Sequence, residues 1–268
     1  MPPLALLVRT WNVFHGNAQP PERRTFLEQM VRLAVADEPD VLLLQELPVW
    51  ALRRLRRWSG MESFGAVASR PRLGSAELGG AMTALHRGVL RSAFTGQANA
   101  ILLGPRVQAL GGDSIYLNPL GFRRAWARRL RLDLGARLRW ARERRVCQAL
   151  RVRADARSLV VANLHVSNVP EIEIRDAELH RAAAFVERFA EAGEAVVLGG
   201  DLNVRVGVSK MLGELSGPQW GFSDAIPGLD QILVRGAAAG QPERWPEERR
   251  RVDGRLLSDH APVEVRIE

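Results

Sequence analysis

Two apolar runs in this chain stop on carboxylates that a core cannot hold. Val196-Val197-Leu198-Gly199-Gly200 ends in Asp201-Leu202-Asn203, and Leu256-Leu257 ends in Ser258-Asp259-His260 before Val263 resumes the pattern. Burying an unpaired carboxylate is strongly unfavourable, so such residues line a cleft or hold a cation. The same punctuation recurs. Polar residues sit at apolar strands as Asn12, Gln45-Glu46, His165 and Asp230. One strand-end Asp or Asn is ordinary turn chemistry. Six such places in one chain point instead to a hydrolytic metal site.

The chain has 268 residues and 46% hydrophobic content, which suits one large domain with a packed core. Met1 to Val8 is apolar but lacks a basic leader and reads as the start of a first strand, not a signal peptide. No apolar stretch is long enough for a transmembrane helix. The single Cys147 permits no intrachain disulfide and fits a reducing, cytoplasmic setting.

The net charge of +8 is uneven. Residues 123–145 hold ten arginines against Asp133 and Glu143, which accounts for the whole excess. A basic segment of this kind contacts phosphates of nucleic acid or an anionic membrane. The alternative is plain solvation of a helical face, because Lys210 is the only lysine and arginine is the default cation here.

Periodicity predicts a strand over Leu4–Asn12, a helix over Pro20–Ala36 and a doubly buried strand over Val41–Leu44. Trp50–Trp58 reads as a short amphipathic helix, and Ala66–Ala68, Ala81–Leu85 and Gln97–Leu103 as strands. Residues 104–123 read as loop, and Ala125–Arg142 as helical with a break at Gly135. A strand pair follows at Val146–Val152 and Leu159–His165. Ile172–Ala192 reads as a helix with Leu179, Ala183, Val186 and Phe189 on one face, ended by Gly193. Further strands are expected at Val196–Gly200, Gln231–Val234 and Val263–Ile267. Residues 104–145 form the one candidate insertion in a single domain spanning 1–268.

Taken in order, Trp11-Asn12-Val13, Gln45-Glu46, Asn163-Leu164-His165, Gly200-Asp201-Leu202-Asn203, Asp230-Gln231-Ile232 and Ser258-Asp259-His260 resemble the motifs of the endonuclease/exonuclease/phosphatase superfamily. Its members include deoxyribonucleases, abasic-site endonucleases, sphingomyelinases, deadenylases and inositol phosphatases. The resemblance implies an α/β fold, a four-layer sandwich of two packed mixed β-sheets flanked by helices. It also implies divalent-metal-dependent phosphoester hydrolysis with Mg²⁺, or Mn²⁺ in its place. Phe14 stands where abasic-site endonucleases carry a carboxylate, which weakens the repair-enzyme reading.

The residues fit that chemistry. A hard cation takes oxygen ligands, so Asn12, Glu46 and Asp259 are the expected metal residues. Asp230 and His260 read as a carboxylate–imidazole pair. Asp201 and Asn203, two apart on an extended segment, are expected on one face, the first to handle a water proton and the second to donate to phosphate. His165 completes the expected catalytic set. Among Arg142, Arg144 and Arg145, the last adjoins a strand and is the expected phosphate contact. His15 serves either the cleft or a turn, and Tyr116 either phosphate or the fold. His86 and His180 read as surface residues. The expected activity is a phosphodiesterase, with nucleic acid as the first substrate and phospholipid or inositol phosphate as the second. A non-catalytic binding protein is the third reading.

Overall fold

Successive strand residues face opposite sides of a sheet, and this chain uses both sides of its apolar runs. The computed structural model describes residues 5–22, 24–71, 95–155 and 157–268. The strand expected at Ala81–Leu85 and His86 lie outside them. The strands are β1 (Leu6–Asn12), β2 (Ala18–Gln19), β3 (Val41–Leu47), β4 (Glu62–Ser69), β5 (Gln97–Leu103), β6 (Val107–Tyr116) and β7 (Val146–Ala154). They continue as β8 (Arg157–His165), β9 (Ala195–Asp201), β10 (Asp230–Arg235), β11 (Glu243–Arg244), β12 (Arg251–Val252), β13 (Arg255–Leu257) and β14 (Val263–Ile267). The helices are α1 (Leu27–Ala34), α2 (Leu55–Ser59), α3 (Leu120–Arg129), α4 (Leu134–Ala141), α5 (Ile172–Phe189) and α6 (Lys210–Leu215).

Among the described residues, one mixed sheet runs β11-β14-β1-β3-β5-β4 and a second runs β10-β9-β8-β7-β6. A small third sheet, β12-β13-β2, lies apart from both. β1 and β3 are parallel with α1 between them in sequence, and β8 and β9 are parallel with α5 between them. Parallel pairs need such a crossover. Val8, Leu43 and Ile101 of the first sheet share one core with Val161, Val197 and Ile232 of the second. The alternate residues Leu42 and Leu44 pack with Met30 and Val31 of α1. Val160, Leu164 and Leu198 pack with Leu179, Ala183 and Val186 of α5. The layers are therefore helix, sheet, sheet, helix, as the resemblance implies.

Several local expectations are corrected. Residues 107–116 are not loop but strand β6, paired along β7 at the edge of the second sheet. Its two consecutive glycines, Gly111 and Gly112, disguise a strand whose face is largely exposed. The basic helix breaks before Gly135. Arg131 takes a left-handed φ of 52°, and Leu132 N bonds back to Ala127 O. Asp133 Oδ1 then accepts from Ala136 N at 2.7 Å and caps α4, which contains Gly135. Trp50–Trp58 divides into a 3₁₀ turn over Val49–Arg53 and the short α2. Helix α5 stops at Phe189 because Ala190 is already extended, ahead of Gly193.

Polar side chains also join the sheets. Gln45 Nε2 donates to Asn163 Oδ1 at 2.8 Å and to Thr10 Oγ1 at 3.0 Å. Asn163 Nδ2 in turn donates to the carbonyls of Leu44 and Ala100. Two of the motif residues are thus fully buried cross-links rather than cleft groups. Among the described residues, no helix is long and apolar enough to cross a membrane.

Candidate active site

The site forms where β1, β3, β8 and β9 run out together. Register explains the convergence: Asn12 pairs with Gln45 on one sheet, and His165 pairs with Asp201 on the other. Asp230 begins its strand rather than following one. β10 runs antiparallel to β9 and pairs Asp230 with Asp201, so a strand start reaches the same edge. Gly200 allows the close approach, since its φ is 140° and a Cβ there would overlap the carbonyl oxygen of Leu164.

Asp201 is the buried centre. Its Oδ2 accepts from Asn12 Nδ2 at 2.9 Å, and its Oδ1 accepts from the backbone N–H of Asn203 at 3.0 Å. Two imidazole Nε2 atoms face Oδ2, His165 at 3.4 Å and His260 at 3.8 Å. The 201–203 segment is an Asx-type turn, not the expected extended stretch. Asn203 has a left-handed φ of 49°, and its Nδ2 donates to Val166 O at 2.9 Å, so it fastens the exits of β8 and β9.

His260 Nδ1 lies 2.9 Å from Asp230 Oδ2, so the expected carboxylate–imidazole pair is formed. Burial disfavours the charged ring. The hydrogen bond that the ring donates to Asp230, with the charges of Asp201, Asp230 and Asp259, outweighs burial and pushes His260 up to about 10. The carboxylates around it thus favour the charged ring, with Nδ1 on Asp230 and Nε2 turned toward Asp201.

His165 is the opposite case. Its Nδ1 faces Arg145 Nη1 at 2.9 Å and Gln97 Nε2 at 3.3 Å. Burial, then Arg145, holds its pKa well below the usual histidine range. Of Arg142, Arg144 and Arg145, only Arg145 is buried, and it sits behind His165 with Glu143 Oε2 at 2.6 Å on its Nη2. The expected phosphate contact thus touches His165 from behind. Arg144 is exposed and stacks over Tyr116 at 5.4 Å.

Glu46 owes its position to a β-bulge. The β3–β5 register shifts between Leu44 and Leu47, and Glu46 adopts a left-handed φ of 55°. A bulge of this kind re-aims a side chain. Its Oε1 lies 3.7 Å from His165 Nε2, and its Oε2 lies 3.8 Å from His15 Nε2. His15 is buried in the 3₁₀ turn over Phe14–Gly16, so it serves the turn and borders the cleft. Burial raises Glu46 to about 7, aided by the charge of Asp201 and opposed by Arg145.

Asp259 is exposed, and among the described residues no ion pair or hydrogen bond joins it to Asn12 or Glu46. Its neighbour Ser258 donates to the carbonyl of Asn12 at 2.7 Å and keeps the two segments adjacent. Two donor sets could serve a cation. Asp201, Asp230 and His260 offer ligand atoms within 4.8 Å of one another. In that trio His260 Nδ1 is already engaged by Asp230 Oδ2 at 2.9 Å. The carboxylate of Glu46 and the oxygens of Asn12 and Asp259 are hard donors. This second set fits a divalent cation such as Mg²⁺.

Several supporting residues were not singled out from the sequence. Gln97 opens β5, which runs antiparallel to β3, so its strand start meets the site edge. Arg250, also buried, donates from Nη1 to the carbonyls of Leu257, Ser258 and His260 at 3.1, 3.2 and 2.9 Å. Trp11 Nε1 donates to the same His260 carbonyl at 3.0 Å. A strand-start signal existed for Gln97. Nothing local marks Arg250 among so many arginines.

The comparisons agree with this fold. The Endonuclease/Exonuclease/phosphatase family matches residues 10–260. No curated protein matches the chain in sequence. Among solved structures, an endonuclease/exonuclease/phosphatase from Bacteroides vulgatus is 16% identical with a TM-score of 0.68, covering 98% of each chain. A humanized D. rerio TDP2 is 16% identical with a TM-score of 0.59, covering 98% of this chain and 99% of its own. The Bacteroides thetaiotaomicron mannosyl-6-phosphatase Bt3783 is 12% identical with a TM-score of 0.64, covering 98% and 99%. With strand-end polar residues gathered at one edge of a two-sheet sandwich, and the family match spanning nearly all of it, the chain belongs to the endonuclease/exonuclease/phosphatase family of phosphoester hydrolases.

Proposed function

We propose that this chain hydrolyses a phosphodiester by attack of water on phosphorus, with a divalent cation, Mg²⁺ or Mn²⁺. The carrying observation is Asp201, a buried carboxylate faced by the Nε2 atoms of His165 and His260. Asp201 positions the water and accepts its proton as the new P–O bond forms and the ester P–O bond breaks. His165 Nε2–H and His260 Nε2–H donate to phosphoryl oxygens as negative charge builds. Glu46, Asn12 and Asp259 would hold the cation, which neutralises charge on the phosphoryl group and its leaving oxygen. Asn203 keeps Asp201 in place. Arg145 orients His165 and adds positive charge behind it. The intact polar set weighs against a non-catalytic binding protein, and the buried Cys147 accords with a reducing, cytoplasmic setting.

A substrate panel with Mg²⁺ tests this: a short chromogenic phosphodiester, DNA, RNA, a phospholipid, an inositol phosphate and a sugar phosphate. Faster turnover of a phosphomonoester than of every diester would replace the reading with a phosphatase. The arginine segment supports a polyanionic substrate, of which nucleic acid was the first expectation. One observation favours phospholipid. The aromatic rings a nucleic acid would stack on are turned to each other, with Phe122 5.8 Å from Trp126 and 6.1 Å from Trp140, while leucines of the same helices face solvent.

A further inference from the structure

The large apolar side chains left most exposed fall on three segments. Among the described residues they comprise Leu110 and Tyr116 of β6, Leu120, Leu134 and Leu138 of the α3–α4 hairpin, and Val206 and Val208 after β9. Leu134 and Leu138 are 71% and 62% exposed, lie four residues apart on α4 and so share a face. Single exposed leucines need no explanation; grouped ones on a basic element do.

The same hairpin carries a cluster of arginines. Arg123, Arg124, Arg128 and Arg137 line, with Leu120 and Trp140, a cleft of about 300 Å³ that has no acidic lining residue. Among the described residues none of these four forms a salt bridge; Arg139 alone of the hairpin does, with Glu171. Guanidinium groups grip phosphate oxygens in a fork. Apolar residues in solvent with a cationic rim are the pattern of a helix lying in a bilayer interface.

Position agrees with that pattern. Trp140 Nε1 donates to the buried Glu178 of α5 at 2.6 Å, and Glu178 also accepts from Ser167 N at 2.8 Å, two residues past His165. On the other side, Arg175 of α5 donates to Asn203 O at 2.7 Å, three residues before Val206. The hairpin and the valine loop are thus fastened to the same end of α5, which borders the cleft.

We propose that the α3–α4 hairpin, with the Val206–Val208 loop, docks this protein on an anionic lipid bilayer: leucines and valines enter the interface, and the arginine cleft takes a headgroup phosphate. The inference rests on the phospholipid side of the proposed function, yet its test is read without turnover. Vesicles of phosphatidylcholine, alone and mixed with phosphatidylglycerol, are floated with the native protein. It should bind the mixed vesicles and not the neutral ones. Leu134→Glu with Leu138→Glu should weaken that binding about tenfold or more, as should Arg123→Gln, Arg124→Gln, Arg128→Gln and Arg137→Gln together. Val206→Ser with Val208→Ser should weaken it less, and circular dichroism should show every variant folded. Equal binding to both vesicle types, or native-like binding by a folded leucine variant, overturns the proposal. So does tighter binding of a single-stranded oligonucleotide that the leucine variant retains. A native dimer that the leucine variant splits, with vesicle binding unchanged, assigns the surface to a second copy instead. Vesicle binding without hydrolysis of any phosphodiester would sink the proposed function and leave the docking surface standing.

Discussion

Arg145 Nη1 stands 2.9 Å from His165 Nδ1, and this contact decides which proton His165 can offer. Arginine keeps its protons at any ordinary pH. The ring must therefore accept at Nδ1 and carry its hydrogen on Nε2, which points to Asp201 at 3.4 Å and Glu46 at 3.7 Å. Gln97, also facing Nδ1, repeats the instruction.

Arg145→Met should lower kcat about 10- to 100-fold, the usual cost of losing a partner that orients a site histidine. Nitrogen-15 NMR should show Nδ1 of His165 unprotonated in the native protein and a mixed tautomer in the variant. A native ring protonated on Nδ1 would contradict the assignment.

Glu46→Gln should abolish most metal-dependent turnover while stabilising the metal-free protein in alkali. Glu46 is raised to about 7, so its neutral form is the one the fold favours. The native contribution is full below the unfolded value near 4.5 and is lost as pH rises through about 7. The metal-free variant should gain roughly 1–3 kcal/mol at pH 8 and nothing at pH 4. Thermal melts in chelator check this. Unchanged turnover by the variant, or full native activity in excess chelator, refutes the metal role.

Asp230→Asn and His260→Ala should each reduce turnover strongly, and the double variant should be little worse than either. The pair also has a pH signature. His260 is raised to about 10 by its carboxylate neighbours against burial. Its contribution to stability is full below about pH 6.5 and fades as pH climbs through 10. The native protein should therefore lose its melting advantage over His260→Ala across that window. Losses that multiply in the rate cycle would dissolve the pair.

Trp140→Phe should loosen the hairpin and leave the sandwich intact. It removes the 2.6 Å bond to the buried Glu178, at a cost of about 1–3 kcal/mol for a buried partner left unsatisfied. Hydrogen exchange should quicken across residues 120–141 and stay unchanged in β8 and β9. A uniform change across the chain would place Trp140 in the main core instead.

Strand alternation and the ordered polar residues were legible in the chain itself, because period two and strand-end carboxylates are local properties. The run Val41–Leu44 determined a doubly buried strand, and the Asp230–His260 pair and the place of Asp201 were expected from the family resemblance that the ordered motifs carry. Three-dimensional packing decided the rest. The bulge that turns Glu46 inward comes from pairing with β5, some fifty residues away in sequence. Antiparallel neighbours brought the strand starts Gln97 and Asp230 to an edge otherwise built from strand ends. Arg145 stood out among its neighbours in sequence because it adjoins a strand, but its place behind His165 came only with the packed fold. The leucines and aromatics of the hairpin share one composition, and only the fold of α3 on α4 settled which group faces water. Local chemistry specifies what a residue can do; partners distant along the chain set its direction, burial and charge.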